Sequence, residues 1–233
     1  MPTTGPDTVS SEVAGLARCL DHTLLKADVS AAQICTLCEE ARHWGFASVC
    51  VPPRFVPLAF AQLADSPVAV CTVIGFPLGY QTTTCKVFEA EQTVAAGASE
   101  LDMVIAIGRA LDGGLDEVEA EIFAVVAAAG AAKVKVIIEC CYLTDELKGA
   151  LAEIVVRSRA GYVKTSTGFG SGGATLADVR LLADRVQGQI GVKAAGGIRD
   201  LAACQAFLAA GATRIGTSNG VAIMAELLRG AAL

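Results

Sequence analysis

The chain has 233 residues, 53% of them hydrophobic, and a formal net charge of −6. This length is enough for one large barrel or two small domains with a sizeable buried core. The negative charge argues against a nucleic-acid partner or an anionic membrane surface, because both require a basic face on the protein.

The N-terminal segment MPTTGPDTVSSE has neither a basic nor an apolar stretch, so it does not predict a signal peptide. We expect residues 1–15 to form an N-terminal extension or a short helix. The longest uncharged stretch, residues 66–85, is interrupted by prolines, glycines and threonines and does not predict a membrane span. These features predict a cytoplasmic protein.

Short apolar runs rich in β-branched residues alternate along the chain with alanine-rich helical stretches. The predicted strands, in chain order, are residues 18–25, 47–51, 68–74, 100–105, 133–139, 162–166, 190–196 and 213–218. Helical stretches lie between them and several end on glycine, as helices commonly do, among them residues 86–97, 116–130 and 200–211.

A unit made of a helix end, a glycine, two or three residues and a strand recurs at Gly45, Gly97, Gly161 and Gly211. The spacing of roughly two βα units is expected of strands joined by crossover helices. This alternation favours an α/β fold with a single domain over residues 1–233, a (β/α)8 TIM barrel. An open dinucleotide-binding sheet would need a G-x-G-x-x-G after its first strand, where the sequence has none.

The nine cysteines do not predict a disulfide framework. Cys50, Cys71 and Cys140 lie inside apolar strand-like runs, where a free thiol behaves as a small hydrophobe. Cys35 and Cys38 form a C-x-x-C in a helical stretch, with no second pair and no histidine cluster nearby, which argues against a zinc or redox site. We expect reduced, mostly buried cysteines.

In such a barrel the active site lies at the C-terminal ends of the strands, so polar residues inside the strands are the candidates for chemistry. They are Asp21, His22, Cys50, Asp102, Glu139, Lys164 and Lys193. Lys133 and Lys135 begin their strand instead, and we expect both to be solvated lysines at the bottom of the barrel.

Lys164 and Lys193 occupy equivalent places on successive strands. Two ammonium groups held close in a poorly solvated interior repel each other and burial disfavours the charged form, so both effects lower the pKa of an amine. A neutral amine can attack a carbonyl and form a Schiff base. Each lysine could instead be paired with a buried carboxylate, but two at adjacent strand ends favour catalysis. Asp102 would be their acid–base partner, their counter-ion, or both.

Two glycine-rich turns follow the last two strands: AAGGIRD at residues 194–200 and IGTSNG at residues 215–220. Backbone N–H groups at such turns and at helix N-termini bind phosphate. A phosphate site after the seventh and eighth strands is recurrent in this fold. The turns therefore predict a phosphate site, to which Thr217 and Ser218 add hydroxyl donors.

Taken together, the motifs LDHTLLK, VCVPP, CTVIGFPLG, KVFEAE, ELDMVI, KVIIECCYLT, YVKTSTGF, VKAAGGIR and RIGTS resemble those of the deoxyribose-phosphate aldolases, class I aldolases with a (β/α)8 barrel. They occur in order over nearly the whole chain. The resemblance implies reversible cleavage of 2-deoxy-D-ribose 5-phosphate to D-glyceraldehyde 3-phosphate and acetaldehyde, without a cofactor or a metal.

The resemblance also implies a role for each site residue. Lys164 would form the Schiff base, Lys193 would favour its neutral form, and Asp102 would relay protons. The substrate-binding residues implied are Asp21, in the lysine and hydroxyl network, Cys50 and Thr167 at the sugar, and Gly196, Gly197, Arg199, Gly216 and Ser218 at the phosphate. Phe169 departs from the pattern, because some members carry a lysine there that can reach the phosphate.

Two rival functions use the same barrel. A metal-dependent aldolase or isomerase would need several histidines or clustered carboxylates, whereas this chain has only His22 and His43. A non-catalytic phosphosugar-binding barrel would not need both lysines and Asp102. Barrels of this kind often pair through outer helices, so we expect a homodimer with Trp44 and Phe60 as contacts, unless these rings cover the core.

Overall fold

The computed structural model describes residues 6–231 and, of their side chains, those of residues 11–230. The predicted N-terminal extension or short helix is helix α1 (Pro6–Ala17), while residues 1–5 of that prediction lie outside the described part. Within the described range, no helix is long and apolar enough to cross a membrane.

Eight parallel strands close into a barrel in chain order, each pairing with the next and the last with the first. All eight predicted strands are confirmed, with ends trimmed relative to the prediction. Their bounds are β1 Leu20–Thr23, β2 Ser48–Val51, β3 Ala69–Ile74, β4 Glu100–Val104, β5 Lys133–Ile137, β6 Tyr162–Lys164, β7 Gly191–Ala195 and β8 Arg214–Thr217. The (β/α)8 TIM barrel predicted from the sequence is therefore confirmed.

The helices between the strands form the outer layer. They are α2 Ala31–Trp44, α3 Val56–Gln62, α4 Thr83–Ala95, α5 Ile107–Leu111, α6 Leu115–Ala129, α7 Asp145–Arg157, α8 Leu176–Val186, α9 Leu201–Ala209 and α10 Gly220–Ala231, with short 3-10 helices at Pro53–Phe55 and Cys140–Tyr142. Five of them begin where a side-chain oxygen accepts a hydrogen bond from a first-turn N–H, namely after Ser30, Thr82, Thr144, Thr175 and Asp200.

Successive strand residues alternate between two environments. One set is apolar and packs between the sheet and the helices, for example Val49, Leu101, Val134, Val163 and Ile215. The other set faces the barrel interior. By strand register it forms three layers of four residues from alternate strands: Ser48, Glu100, Tyr162 and Arg214; then Asp21, Cys71, Lys135 and Lys193; then Cys50, Asp102, Lys164 and Gly216.

These layers differ from the branched apolar packing that usually fills such a barrel. Most of their members are charged or polar and buried. A buried charge is stable only when it is paired and hydrogen-bonded, so the interior must be held together by ion pairs.

The prediction that Lys133 and Lys135 are both solvated is wrong for Lys135. The Lys133 side chain is 46% exposed and contacts Glu100 at 3.5 Å, as expected at the barrel bottom. Lys135 lies two residues further in and its side chain is 0% exposed. The layer containing Glu100 and Tyr162 closes the barrel below it, which excludes water from its ammonium group.

Candidate active site

The structure brings the three predicted catalytic residues together. Lys164 is the last residue of β6, and Lys193 is its register partner on β7. Their Nζ atoms both donate to Oδ2 of Asp102, each at 2.7 Å. All three side chains are buried at the C-terminal end of the barrel, where this fold carries its active sites.

Asp21 links this group to the layers below it. Lys193 Nζ donates to Asp21 Oδ2 at 2.5 Å, and Arg214 Nη1 donates to Asp21 Oδ1 at 2.6 Å. Arg214 also bonds Glu100 at 3.2 Å. The predicted position of Asp21 in the lysine network is observed, whereas Arg214 and Glu100 were missed because each begins its strand.

Lys135 is the residue most clearly missed from the sequence. Its Nζ lies 2.8 Å from Asp102 Oδ1, 2.7 Å from Glu100 Oε2 and 3.5 Å from Asp21 Oδ2. It therefore touches every carboxylate of the network, which we call the interior ion cluster: Asp21, Glu100, Asp102, Lys135, Lys164, Lys193 and Arg214.

The cluster shifts the pKa values of Asp21, Asp102 and Lys193. Burial alone would raise the pKa of Asp21 and Asp102, but the neighbouring cations, Lys135 first, hold the pKa of both carboxyls below its usual range. For Lys193, burial alone would lower the pKa, but Asp102 and Asp21 raise it above its usual value. The expectation that paired lysines lower the pKa of each amine is thus wrong for Lys193, because two carboxylates outweigh burial and its neighbours.

Lys164 differs from the other lysines of the cluster in its surroundings. The cluster holds four cationic side chains against three carboxylates, so one positive charge is uncompensated when all are ionised. Lys164 shares its carboxylate, Asp102, with Lys135 and Lys193. It is also the one cluster lysine that lines the open cavity above.

The cavity above Lys164 measures about 250 Å³. Of the predicted site residues it is lined by Lys164, Thr167, Gly196, Gly197, Arg199, Gly216 and Ser218. Asp21, Cys50, Asp102 and Lys193 do not line it, since they lie beneath its floor. Lys26, an exposed cation, lines the cavity as well. It was not predicted from the sequence, where the one indication of its role is its position just after β1.

The two predicted glycine-rich turns line the cavity. Gly196 and Gly197 have φ values of 92° and 84°, a left-handed backbone that favours glycine. Ser218 lies just before the N-terminus of α10, which favours an anion. Thr217 was predicted to donate its hydroxyl to the phosphate. In the structure this hydroxyl donates to the Ile198 carbonyl instead, at 2.7 Å.

Gly216 has a steric role in addition to lining the cavity. A Cβ atom at this position would lie 3.0 Å from Cε of Lys193 and 3.0 Å from Cβ of Ala195. Because glycine has no side chain, this position leaves room for the Lys193 side chain to extend to Asp102.

Cys50 packs with Cys71 under the cavity floor, and both thiols are free. Burial raises the pKa of Cys71 well above its usual value. With Asp102 these thiols form a group of potential metal ligands whose atoms lie within 4.8 Å of one another. Lys135 Nζ already contacts Cys71 Sγ at 3.1 Å and Asp102 at 2.8 Å, so a cation there would be repelled by an ammonium group at the same atoms.

The two remaining strand-end candidates lie to the sides of the cavity. His22 bonds Glu40 on α2 at 2.7 Å, and burial lowers the pKa of its imidazole. The Glu139 carboxylate lies behind Thr167 and accepts hydrogen bonds from its N–H and its hydroxyl.

Comparison with known proteins shows the family to which the chain belongs. A family model described as DeoC/LacD family aldolase matches residues 16–226. The deoxyribose-phosphate aldolase of Syntrophotalea carbinolica is 56% identical over 207 residues, which cover 89% of this chain and 94% of the relative. That of Deinococcus radiodurans is 54% identical over 209 residues, covering 90% and 95% respectively.

A solved structure of an aldolase has a similar fold at lower sequence identity. It is described as a unique tetrameric structure of deoxyribose phosphate aldolase from Aeropyrum pernix, and it aligns with a TM-score of 0.85 at 31% identity. The alignment covers 96% of this chain and 98% of that one. With a family match over most of its length and relatives above half identity, the chain belongs to the DeoC/LacD family of aldolases.

Proposed function

We propose that this chain cleaves 2-deoxy-D-ribose 5-phosphate reversibly to D-glyceraldehyde 3-phosphate and acetaldehyde, through a Schiff base on Lys164. The whole chain, residues 1–233, is the aldolase domain in this proposal. The observation that carries it is the sharing of one Asp102 oxygen by Lys164 and Lys193 at the floor of the cavity. Relatives that carry the aldolase name support the substrate.

Lys164 is the nucleophile of the proposed reaction. The Lys164 amine attacks the C1 aldehyde, and loss of water followed by uptake of a proton gives an iminium ion. Removal of the C3 hydroxyl proton breaks the C2–C3 bond, whose electron pair passes to the iminium as an enamine, and glyceraldehyde 3-phosphate leaves. Protonation of the enamine and hydrolysis of the resulting imine release acetaldehyde and restore the amine.

Asp102 and Lys193 support these steps. Asp102 Oδ2 lies 2.7 Å from Lys164 Nζ, within reach of the proton that the amine must lose and of those that the intermediates exchange. Lys193, held as a cation by Asp21 and Asp102, favours a neutral Lys164 by repulsion. Asp21 orients Lys193, and Cys50 fills the space beside Asp102.

The opposite end of the cavity would receive the phosphate group. Gly196, Gly197, Gly216 and Ser218 offer backbone and hydroxyl groups, and Arg199 offers a positive charge. Thr167 stands between this end and Lys164, beside the sugar carbons. The exposed Lys26 adds a second cation at the rim.

Trapping the Schiff base tests the proposal. Borohydride reduction in the presence of acetaldehyde, followed by peptide mass analysis, should place an ethyl group on Lys164. The Lys164→Arg variant is the control and should remain unlabelled. A label on Lys193 or Lys135 alone would overturn the assignment of roles, and cleavage without any adduct would exclude the Schiff-base mechanism.

The same assay addresses the rival functions. We propose that the reaction needs neither a cofactor nor a metal, so cleavage should persist after dialysis against a chelator. Loss of cleavage that an added divalent ion restores would favour a metal-dependent aldolase. Binding of the phosphosugar without turnover would favour a phosphosugar-binding barrel.

We further propose a cytoplasmic homodimer whose partners are small phosphosugars and acetaldehyde rather than nucleic acid or membrane. Phe60 on α3 is 54% exposed and available for a subunit contact, whereas Trp44 is partly buried against the core. Since the Aeropyrum pernix relative is described as tetrameric, sedimentation velocity should distinguish a dimer from a monomer or tetramer.

A further inference from the structure

Glu139 is held in an unusual conformation next to the cavity. It lies between β5 and the 3-10 helix Cys140–Tyr142, with φ 56° and ψ 66°. Few residues other than glycine adopt this left-handed region. Its side chain is also buried, with the residue 2% exposed. Both features cost free energy, which indicates that the position of this carboxylate serves a purpose.

All described polar contacts of the carboxylate go to one residue of the cavity wall, Thr167. The Thr167 N–H donates to both carboxylate oxygens, at 3.1 and 3.3 Å. The Thr167 hydroxyl lies 2.5 Å from Oε2. None of the ion pairs found among the described side chains involves Glu139, so these hydrogen bonds are what stabilise it.

Most of the hydrogen-bonding positions of the Thr167 hydroxyl therefore already have a partner. A hydroxyl has one hydrogen to donate and two lone pairs that accept. An ionised carboxylate accepts only, so the hydrogen goes to Glu139. The N–H of Phe169 donates to Thr167 Oγ1 at 3.0 Å and occupies one lone pair. One lone pair remains, on a residue that lines the cavity together with Lys164.

We propose that Glu139 is a positioning residue that presents Thr167 to the substrate as a hydrogen-bond acceptor, and so selects acceptor aldehydes that carry a hydroxyl group on C2. The inference rests on the proposed aldolase reaction, in which D-glyceraldehyde 3-phosphate is the acceptor. Its C2 hydroxyl donates to Thr167. An aldehyde without this hydroxyl leaves the Thr167 oxygen unpaired in a water-poor site.

The Glu139→Gln variant changes the Thr167 hydroxyl from an acceptor to a donor towards the cavity, with almost no change in side-chain shape at position 139. The glutamine carbonyl still accepts from the Thr167 N–H, which keeps the loop in place. Its amide nitrogen now donates to Thr167 Oγ1 and turns the hydroxyl hydrogen towards the cavity. Thr167 then meets the substrate as a donor.

Aldol synthesis from acetaldehyde with two acceptors measures the effect. D-Glyceraldehyde 3-phosphate is compared with 3-oxopropyl phosphate, which lacks only the C2 hydroxyl. For Glu139→Gln we expect kcat/KM to fall about tenfold with the first acceptor, because its C2 hydroxyl must then accept from Thr167 and its own hydrogen loses this partner, and to change little with the second. The preference for the hydroxylated acceptor should shrink accordingly.

A second readout separates positioning from general damage. Exchange of the acetaldehyde α-hydrogens with deuterated water requires the Schiff base but no acceptor, so Glu139→Gln should leave its rate unchanged. In a Thr167→Val background, Glu139→Gln should have no additional effect on acceptor preference. Glu119→Gln, which removes a carboxylate paired with Arg157 on the outer surface, is the matched control and should change neither rate.

Three outcomes would overturn the inference: an unchanged acceptor preference in Glu139→Gln, an equal effect in the Thr167→Val background, or a parallel loss of α-hydrogen exchange. The last would show that Glu139 only stabilises the loop. Failure of the proposed function is distinguishable, because the wild-type chain would then show neither α-hydrogen exchange nor synthesis, and the inference would fall with it.

Discussion

Lys164 and Lys193 are register partners across β6 and β7, and their ammonium groups bond to the same oxygen of Asp102. The two lysines differ in their other surroundings. Lys193 also bonds to a second carboxylate, Asp21, at 2.5 Å, whereas Lys164 lines the cavity. One lysine is therefore fixed as a cation, and the other is the amine that a substrate can reach. Equivalent places on neighbouring strands thus produce two different roles.

Replacing Lys164 by arginine should remove activity and preserve the fold. Arginine keeps the positive charge next to Asp102, but it cannot form a Schiff base because its guanidinium does not lose its proton. We expect kcat to fall by about 10⁴ or more, as for loss of a nucleophile. A coupled cleavage assay and thermal unfolding measure the two effects, and substantial residual turnover in a folded variant would contradict the mechanism.

Lys135 should contribute strongly to stability. Lys135→Met removes the one cluster cation that contacts Asp21, Glu100 and Asp102 together in a closed interior, so the free energy of unfolding should fall by about 3–5 kcal/mol. The matched control is Lys133→Met on the same face of β5, where a half-exposed ammonium contacts Glu100 at 3.5 Å and lies 5.9 Å from the ring centroid of Tyr162. That change should cost less than about 1 kcal/mol. Equal losses by urea denaturation would contradict the burial argument.

The fold could be predicted because the strand signal is local. Apolar β-branched runs predicted the second to eighth strands, residues 18–25 were added as the first, and the strand ends were the least accurate part. Residues 162–166 illustrate the reason: β6 ends at Lys164, yet Thr165 N still donates to Lys193 O at 3.0 Å. The ladder continues beyond the regular strand, so the sequence pattern extends further than the strand itself.

The site was predictable where a polar residue interrupts an apolar strand near its end, as at Asp102, Lys164 and Lys193. Lys135 could not be placed in this way. The alternation in β5 puts it on the same face as Lys133, but its depth depends on the offset between β5 and its neighbours. The ionisation of Lys193 depends likewise on how many carboxylates surround it, which the barrel assembles from β1 and β4.

The interior ion cluster should give a stability profile that is flat near neutral pH and falls on both sides. The pKa values of Asp21 and Asp102 lie below their unfolded value of about 3.9, so their contribution is present above that pH and lost as pH falls through the folded values. The pKa values of Lys135 and Lys193 lie above about 10.4, so their contribution is complete below that pH and lost as pH rises further.

Denaturant unfolding from pH 3 to 11.5 measures this profile. The difference in unfolding free energy between the wild type and Lys135→Met should be constant from about pH 5 to 9 and should shrink above about pH 10.4. A difference that stays constant through pH 11.5 would show that the Lys135 pKa is not raised in the folded protein.

Lys26 should assist phosphate binding from the rim of the cavity. It is exposed and lines the same cavity as Ser218 and Arg199, so we expect its charge to attract the substrate without contacting the reacting carbons. Lys26→Gln should raise KM for 2-deoxyribose 5-phosphate about threefold to fivefold, with kcat and the kinetics on unphosphorylated 2-deoxyribose unchanged. Arg180→Gln on α8, which does not line the cavity, is the control. An equal rise in KM for both sugars would rule out a phosphate-specific role.

Phe169 lies in the cavity wall, 56% exposed and edge-to-face with Phe76 at a centroid distance of 5.3 Å. Phe169→Lys places a cation on the wall that Arg199 and Lys26 also line, so KM for 2-deoxyribose 5-phosphate should fall several-fold at low salt. The gain should diminish near 1 M salt, where the Debye length is about 3 Å. Phe169→Met removes the ring without adding charge, and steady-state kinetics should show no such gain. The same change of KM in both variants would attribute the effect to the lost ring rather than to the new charge.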